Sequence, residues 1–467
     1  MQNKHILVVL KYGILYSYCE SIINELIVNN KVTLCIQNEN TKNSKAGAGY
    51  YIDSITNSLI LENINSNKKI VIAKQSENLK ILKGAQRDDI WVYALRLIRE
   101  TLTYISFLMR SDKNIFSDTQ ANYLPKVIPK GLNLIRSKTL LKIIFSSLKL
   151  IHNFIPASKK INNFICNINP DLVLIAGANW PSRNNQLSSE IDFIKSSKKL
   201  NKHSIIHVIS WDNLTARGLY HYEPSLMFVW NNSHFEEAEK IHNMHKNTIK
   251  KIGAPFMDKW FKDFKIKSRK DFINSIGLDS NKSLVTYLGS SRNISKNEKI
   301  IVENLYHDLK KKDIQLIVRP HGANSIQFKN LNSNIRLIPS NGELPDSIES
   351  KSLMMETLKY SDFTVGINTT AMIDSVILGT PCISIVKDEF KHNQSSTIHF
   401  RKVQKEEIFI NVSDENEIVK RITLFSEKEK FIITNKMDNF VSNFCRPYGL
   451  KISAGEKAYI EIEKLLS

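Results

Sequence analysis

Short runs rich in Ile, Val and Leu recur along the chain and alternate with stretches whose apolar residues fall three or four apart. Residues 5–10 (HILVVL), 31–36 and 69–73 read as strands, and 16–28 as the helix between the first two. Further runs at 171–176, 204–209, 224–230, 283–288, 315–318, 363–367 and 382–386 are nearly continuous in apolar residues, the pattern of strands buried on both faces. Helical spacing marks 191–200, 233–245, 371–378 and 454–466, and 89–109 carries Trp91, Leu95, Ile98, Leu102 and Ile105 along one face. Strand–helix–strand alternation predicts an α/β protein with parallel sheets covered by helices on both faces. The stretch 42–50, with Gly47 and Gly49, reads as a mobile loop.

At 467 residues the chain exceeds one compact core and divides best into two domains, with the joint between 264 and 283. The expected division is 1–265, then 266–445, with 446–467 ending in a helix that packs back on the first domain.

Candidate chemistry gathers where the predicted strands end. The strand at 363–367 stops at Asn368-Thr369-Thr370, on the N-terminus of the next helix, where unpaired backbone N–H groups favour an anion. The strand at 315–318 runs into Arg319-Pro320-His321-Gly322, and the one at 283–288 into Gly289-Ser290-Ser291-Arg292. In an open parallel sheet such ends share one edge. Arg, His and hydroxyl donors there suit a phosphate; ordinary helix caps and turns are the alternative. In the first half, 204–209 leads into Ser210-Trp211-Asp212-Asn213, which puts a carboxylate where α/β sheets place reacting groups. Asp212 is the candidate general base, or else caps the following helix; Glu298 and Asp374 are weaker candidates. Trp211, Asn213 and Trp180 are candidates for contact with a sugar or acceptor.

Composition narrows the classes. Apolar residues make up 42% of the chain, enough for real cores, and the net charge is +19, which favours an acidic partner. The basic residues are dispersed and accompany no nucleic-acid-binding motif, so a nucleic-acid role is not expected. Five cysteines, far apart, show no metal-ligand spacing; buried thiols in a reducing compartment, no bound metal and no cofactor are the expectation. His242 and His245 share helical spacing and read as solvent-facing. The glycine fingerprint of dinucleotide-binding turns is missing after the first strand. No signal-peptide pattern opens the chain, and no apolar run approaches the ~20 residues of a membrane span. Residues 119–170 contain no Asp or Glu, however, and 131–155 form a basic amphipathic segment. Leu141, Ile144, Phe145, Leu148, Ile151 and Ile155 share one face there, with Lys138, Lys142, Lys149 and Asn153 opposite. Such a helix either lies on an anionic membrane or packs on the fold with a solvated lysine face.

With these residues in view the chain resembles a GT-B glycosyltransferase, and more narrowly a bacterial family encoded with surface-polysaccharide genes. The likeness rests on SWDNLTARG (210–218), VWNNSHFEEAEKIH (229–242), GAPFMDKWF (253–261), SRKDFINSIGLD (268–279), YLGSS (287–291), VRPHG (318–322), GINTTAMID (366–374), QSSTIHF (394–400) and FCRPYGL (444–450). It implies two Rossmann-like, doubly wound domains facing across a cleft, the second holding a phosphate-activated donor and the first the acceptor. In related transferases a His-Pro pair and a hydroxyl pair bind the donor phosphate. Here His321 matches the His, Gly322 stands for the Pro, and Thr369-Thr370 for the hydroxyl pair. The implied activity is metal-independent sugar transfer to a lipid-linked or oligosaccharide acceptor of a capsule or O-antigen, in the cytoplasm or at the inner face of the membrane. A sugar-nucleotide 2-epimerase, a glycerol- or ribitol-phosphate transferase and a non-catalytic binding protein are the rivals.

Overall fold

The computed structural model describes residues 2–38, 48–63, 69–110, 131–181, 187–340 and 342–467. Strands β1 (His5–Tyr12) and β2 (Lys31–Asn38) open the chain; β3 (Ala48–Asp53), β4 (Ser58–Asn63) and β5 (Lys69–Ala73) form a small antiparallel sheet. Then β6 (Leu79–Lys83), β7 (Leu172–Ala176), β8 (His203–His207), β9 (Leu226–Val229) and β10 (Ile249–Lys251) join the first two in a seven-stranded sheet of order β10-β9-β8-β7-β1-β2-β6. Every pair in that sheet is parallel. The second sheet, also parallel throughout, comprises β11 (Leu284–Leu288), β12 (Gln315–Arg319), β13 (Arg336–Leu337), β14 (Phe363–Gly366), β15 (Cys382–Ile385) and β16 (Phe409–Val412) in the order β13-β12-β11-β14-β15-β16. Each sheet winds outward both ways from its centre, so the strand order reverses between β1 and β7 and between β11 and β14. Doubly wound sheets open ligand crevices at such points, beyond the carboxyl ends of the strands.

The continuous apolar runs are buried on both faces, as in β7 and β11, where every residue is buried. Two local readings change. Strand β5 was expected in the main sheet but pairs only within the antiparallel one, and β6 takes the edge position beside β2. Tyr50, Leu59 and Leu61 of the small sheet pack into the core under β1 and β2. Of the loop expected at 42–50, residues 42–47 lie outside the described residues, while 48–50 begin β3. His242, expected in solvent, is buried, with Nε2 2.8 Å from the Leu214 carbonyl oxygen.

The basic helix, Lys138–Phe154, does not present the anticipated face. Leu141, Ile144, Phe145, Leu148 and Ile155 pack on the helix Val92–Arg110, which takes that face away from any membrane.

The last helix, Ala454–Leu466, lies on the helix Tyr16–Leu26, and Ala458 and Ile462 enter the core of the first sheet. Gly455 permits the approach: a Cβ there would stand 2.5 Å from the Ser21 carbonyl oxygen. The anchor is Asp258, which is 2% exposed. Its oxygens accept from the N–H groups of Ala454 (3.1 Å) and Gly455 (3.0 Å) and pair with Arg446 at 2.8 Å. The motifs around 253 and 445 meet here too, since Ala254 N–H donates to the Cys445 carbonyl (2.9 Å). In the second sheet, Glu298 plays a comparable part. Fully buried at the start of the helix Glu298–Lys310, it accepts from the Tyr287 hydroxyl (2.9 Å), the Ser290 N–H (3.0 Å) and the Asn324 amide (3.3 Å), and so shapes the turn after β11. Burial pushes its carboxyl up to about 8 despite those donors.

Asp258→Ala will leave Arg446 buried without its carboxylate and the N–H groups of Ala454 and Gly455 without their acceptor, a loss of about 3–5 kcal/mol. Hydrogen exchange should then show the amides of 454–466 opening about a hundredfold faster or more. Because the folded state keeps the Glu298 proton where the unfolded chain has lost it, wild-type stability relative to Glu298→Gln will fall as pH rises from about 5 to about 8. Urea denaturation across that range measures the difference, and a flat profile would contradict it.

Candidate functional site

Register fixes the donor-side rim. Leu288 of β11 lies opposite Arg319 of β12 on one side and Gly366 of β14 on the other. The segments that follow, 289–292, 319–322 and 368–370, therefore leave three neighbouring strands on the same edge, as the sequence predicted. Their side chains differ in what they have left to offer. Arg319 is 7% exposed; Nη2 reaches the Glu343 carbonyl oxygen at 3.4 Å, and Nη1 has no hydrogen-bond partner. Burial draws its guanidinium down to about 10, with Asp374 and Glu343 opposing the shift. An orphaned, desolvated guanidinium nitrogen costs stability unless an anion completes it. His321 sits beside it, and burial lowers its pKa, so the ring is neutral near pH 7 and donates through one nitrogen. The backbone of Gly342, at φ +65°, runs so close to Gly322 that a Cβ on it would lie 2.8 Å from Gly322 Cα, which holds this turn shut on its outer side.

Other predicted donors are already engaged. Ser290 is fully buried, with its N–H given to Glu298 and its hydroxyl 3.5 Å from the Asn368 N–H. The Asn368 amide donates to the Asn393 carbonyl at 2.5 Å. These two shape the rim, while Ser291, Thr369 and Thr370 keep partial exposure. Thr369 begins the helix Thr370–Ile377 without capping it through its hydroxyl. Glu298, held among its four donor contacts inside the second sheet's domain, is a structural peg and not a base facing the cleft.

The first domain supplies the opposite wall. The Trp211 indole N–H donates to the Thr370 hydroxyl at 3.3 Å, and the Trp211 ring meets His399 edge-on at 4.9 Å. Thr215 Oγ1 lies 2.9 Å from His399 Nδ1. Asp212 thus stands across from Thr370, half-buried. It is the residue before the short helix Asn213–Ala216, but its side chain does not cap that helix; it accepts from the Ser210 hydroxyl. Burial works to raise its pKa, but Arg217, His399 and Ser210 outweigh it and hold the carboxyl below its ordinary value. Asp212 is therefore ionised throughout the neutral range.

The aromatic and amide candidates sit otherwise than expected. Asn213 is fully buried: its amide donates to Asn179 Oδ1 (2.7 Å) and accepts from the Ile209 N–H (3.2 Å) and the Tyr220 hydroxyl (3.0 Å), so it cannot meet an acceptor. Trp180 has the Arg217 guanidinium 3.9 Å above its ring, which occupies the face a sugar would need. It walls a small recess with Arg99, Asn179, Ser188 and His221. Trp211 pins the two domains together instead of offering a platform.

Four residues that were not singled out complete the cleft. His399 and Arg217 bracket Asp212. Lys259, 7% exposed and 3.6 Å from the Phe256 ring centre, is brought down to about 8 by burial against the pull of Asp374 and Asp346. Tyr18 is pushed up to about 12 by burial and lies within the fields of Arg217, Asp212 and Asp374. Asp374 accepts from the Trp260 indole at 2.7 Å; burial raises it to about 6, against Lys259 and Arg319. Lys259, Arg217 and His399 all lie within the ordered motifs, but nothing local in those motifs told their roles apart. Among the described residues, no group of three His, Cys, Asp or Glu side chains is arranged to hold a metal ion.

No protein-family model matches the chain, and no curated protein sequence does. Among solved structures it is similar to a protein from Listeria monocytogenes provisionally named a UDP-N-acetylglucosamine 2-epimerase, with a TM-score of 0.53 at 10% identity over 100% of this chain and 97% of that one. It is also similar to MnaA of S. aureus, solved with UDP, with a TM-score of 0.50 at 12% identity over 99% of this chain and 97% of the other. At such identities the likeness is one of fold. The chain has the GT-B architecture, two Rossmann-like domains whose strand ends face each other across a cleft.

Proposed function

We propose that this protein is a glycosyltransferase that moves a sugar from a phosphate-activated, nucleotide-linked donor to a hydroxyl of a growing surface glycan. The observation that carries the reading is Arg319: a buried guanidinium with one nitrogen unpartnered, on a rim shared with His321, Ser291, Thr369 and Thr370. Such donors neutralise charge as it develops on a leaving phosphate, an effect commonly worth about 3–4 kcal/mol per donor. Asp212, ionised and across the cleft, accepts the proton of the attacking hydroxyl. The acceptor oxygen bonds to the anomeric carbon while the bond from that carbon to the phosphate oxygen breaks, and the nucleotide leaves with the electron pair. His399 and Arg217 position Asp212, and Asp374 balances the charge of Arg319 between turnovers.

A 2-epimerase acting on a nucleotide sugar is the second reading, favoured by the name or ligand of the solved structures similar in fold. The two part on product: a transferase releases free nucleotide when acceptor is present, whereas an epimerase returns an isomeric nucleotide sugar without one.

A thermal-shift screen with CMP, CDP, UDP and GDP should give one stabilising nucleotide. Arg319→Ala and His321→Ala should abolish that shift. Asp212→Asn should keep the shift while lowering turnover about 10²–10⁴-fold. If both rim variants bind the nucleotide as the wild type does, the donor site lies elsewhere.

A further inference from the structure

The helix Lys138–Phe154 carries three stripes, not two. One is the face buried on Val92–Arg110. A second, one-third of a turn or so away, carries exposed Lys138 and Lys142 and half-buried Lys149. The third is apolar and uncovered: Leu140, Ile143, Leu150 and Phe154 are 45%, 58%, 59% and 79% exposed. These four fall at offsets that keep them in line along one side of a helix. The apolar surface continues past the end of the helix. Lys160 pairs with Asp88 at 2.6 Å, and Arg87 Nη2 donates to the Pro156 carbonyl at 2.9 Å. Those contacts fasten the start of the neighbouring helix beside Phe154, where Ile90 and Tyr93 are 89% and 66% exposed.

The geometry points to this ridge as a docking surface for an anionic lipid bilayer, with the apolar stripe entering the headgroup–acyl boundary and the lysines flanking it toward the phosphates. Charge selects this occupant. No Asp or Glu occurs from 131 to 170, and among the described residues none of the three lysines makes an ion pair. A second copy of this chain would bring the same lysines face to face, a like-charge contact that disfavours a symmetric pair. The surface is a convex ridge, suited to a yielding lipid layer. No single described helix is long and apolar enough to cross a membrane, and Lys138–Phe154 reaches that length and hydropathy only together with Lys159–Ile168, from which it is bent by 55°. The same pair of helices supports the wall of the cleft: the Thr103 hydroxyl accepts from the Leu219 N–H at 3.2 Å, two residues beyond Arg217. Docking there would hold the first domain's side of the cleft close to a lipid-borne acceptor. That last step rests on the transfer reading; the docking itself does not.

Flotation with vesicles of phosphatidylcholine, alone or mixed with phosphatidylglycerol, tests the surface. The wild type should float with the anionic vesicles and not with the neutral ones. Leu150→Ser/Phe154→Ser should lower partitioning at least about tenfold at any salt concentration. Lys138→Glu/Lys142→Glu/Lys149→Glu should lower it about fivefold or more per lysine at low salt, with the difference shrinking at high salt. Four of the five positions are exposed and Lys149 is half-buried, so the melting temperature should hold, and Lys428→Glu/Lys430→Glu on the second domain should float as the wild type does. Wild type that stays at the bottom with both vesicles would overturn the proposal. So would stripe variants that float unchanged, or a stripe-dependent dimer in sedimentation without any flotation. Nucleotide binding, measured in parallel, separates failure here from failure of the donor site.

Discussion

Parallel strands joined through helices on either face can end only on a common edge, and this constraint governs the molecule. In the second sheet it sets Gly289, Arg319 and Asn368 side by side although 79 positions separate the first from the last. In the first sheet it brings Asp212, after β8, and Trp180, after β7, to the edge that faces them. No single turn has to be special for the cleft to exist. Each needs only to leave its strand at the correct end, where helix N-termini and small side chains leave polar groups unspent.

The cleft is held by polar contacts between the domains as much as by packing. Trp211 reaches Thr370, Thr215 reaches His399, Tyr50 donates to Asp346, Lys351 pairs with Glu20 at 2.9 Å and Lys402 with Glu237 at 2.6 Å. These contacts close the walls around an alternation of charges: Arg319, Lys259 and Arg217 against Asp374, Asp346 and Asp212. Burial pulls Lys259 and Arg319 down and pushes Asp374 up, which places all three nearer to neutrality than they would be in water. Groups strained in this way respond strongly to a ligand's charge, because the ligand supplies the partner that water no longer does. Arg319 is the sharpest case, since one of its nitrogens has nothing else to bind.

Behind the cleft, the first domain is stiffened by a buried network in which Arg99 grips Asp192 with two hydrogen bonds (2.9 and 2.8 Å), Arg87 adds a third (3.2 Å) and His152 receives the Arg99 Nε–H at 3.0 Å. His152 belongs to the basic helix, so one buried polar residue sets how that helix is rotated. This rotation turns Leu141 and Leu148 inward and leaves Leu140, Ile143 and Leu150 to solvent.

The sequence alone determined what depends on near neighbours. Apolar runs gave most strands of both sheets, though not the edge strands β6, β10, β13 and β16; their alternation with helices gave the α/β class, and the polar residues after 288, 318 and 367 marked the rim. The tertiary structure decided what depends on distant ones. Ser290 and Asn368 look as able to bind a phosphate as Arg319 does, until Glu298 and Asn393 arrive from elsewhere and occupy them. Asn213 looks like a cleft residue until Asn179 and Tyr220 enclose it, and β5 looks like a main-sheet strand until β4 pairs with it. His399 became part of the site only because the second domain folds over Thr215. Periodicity is written within a few residues of itself. Whether a donor stays unpaired, or which side of a helix is covered, is settled by groups from other elements, from 7 positions away for Tyr220 and Asn213 to 184 for His399 and Thr215.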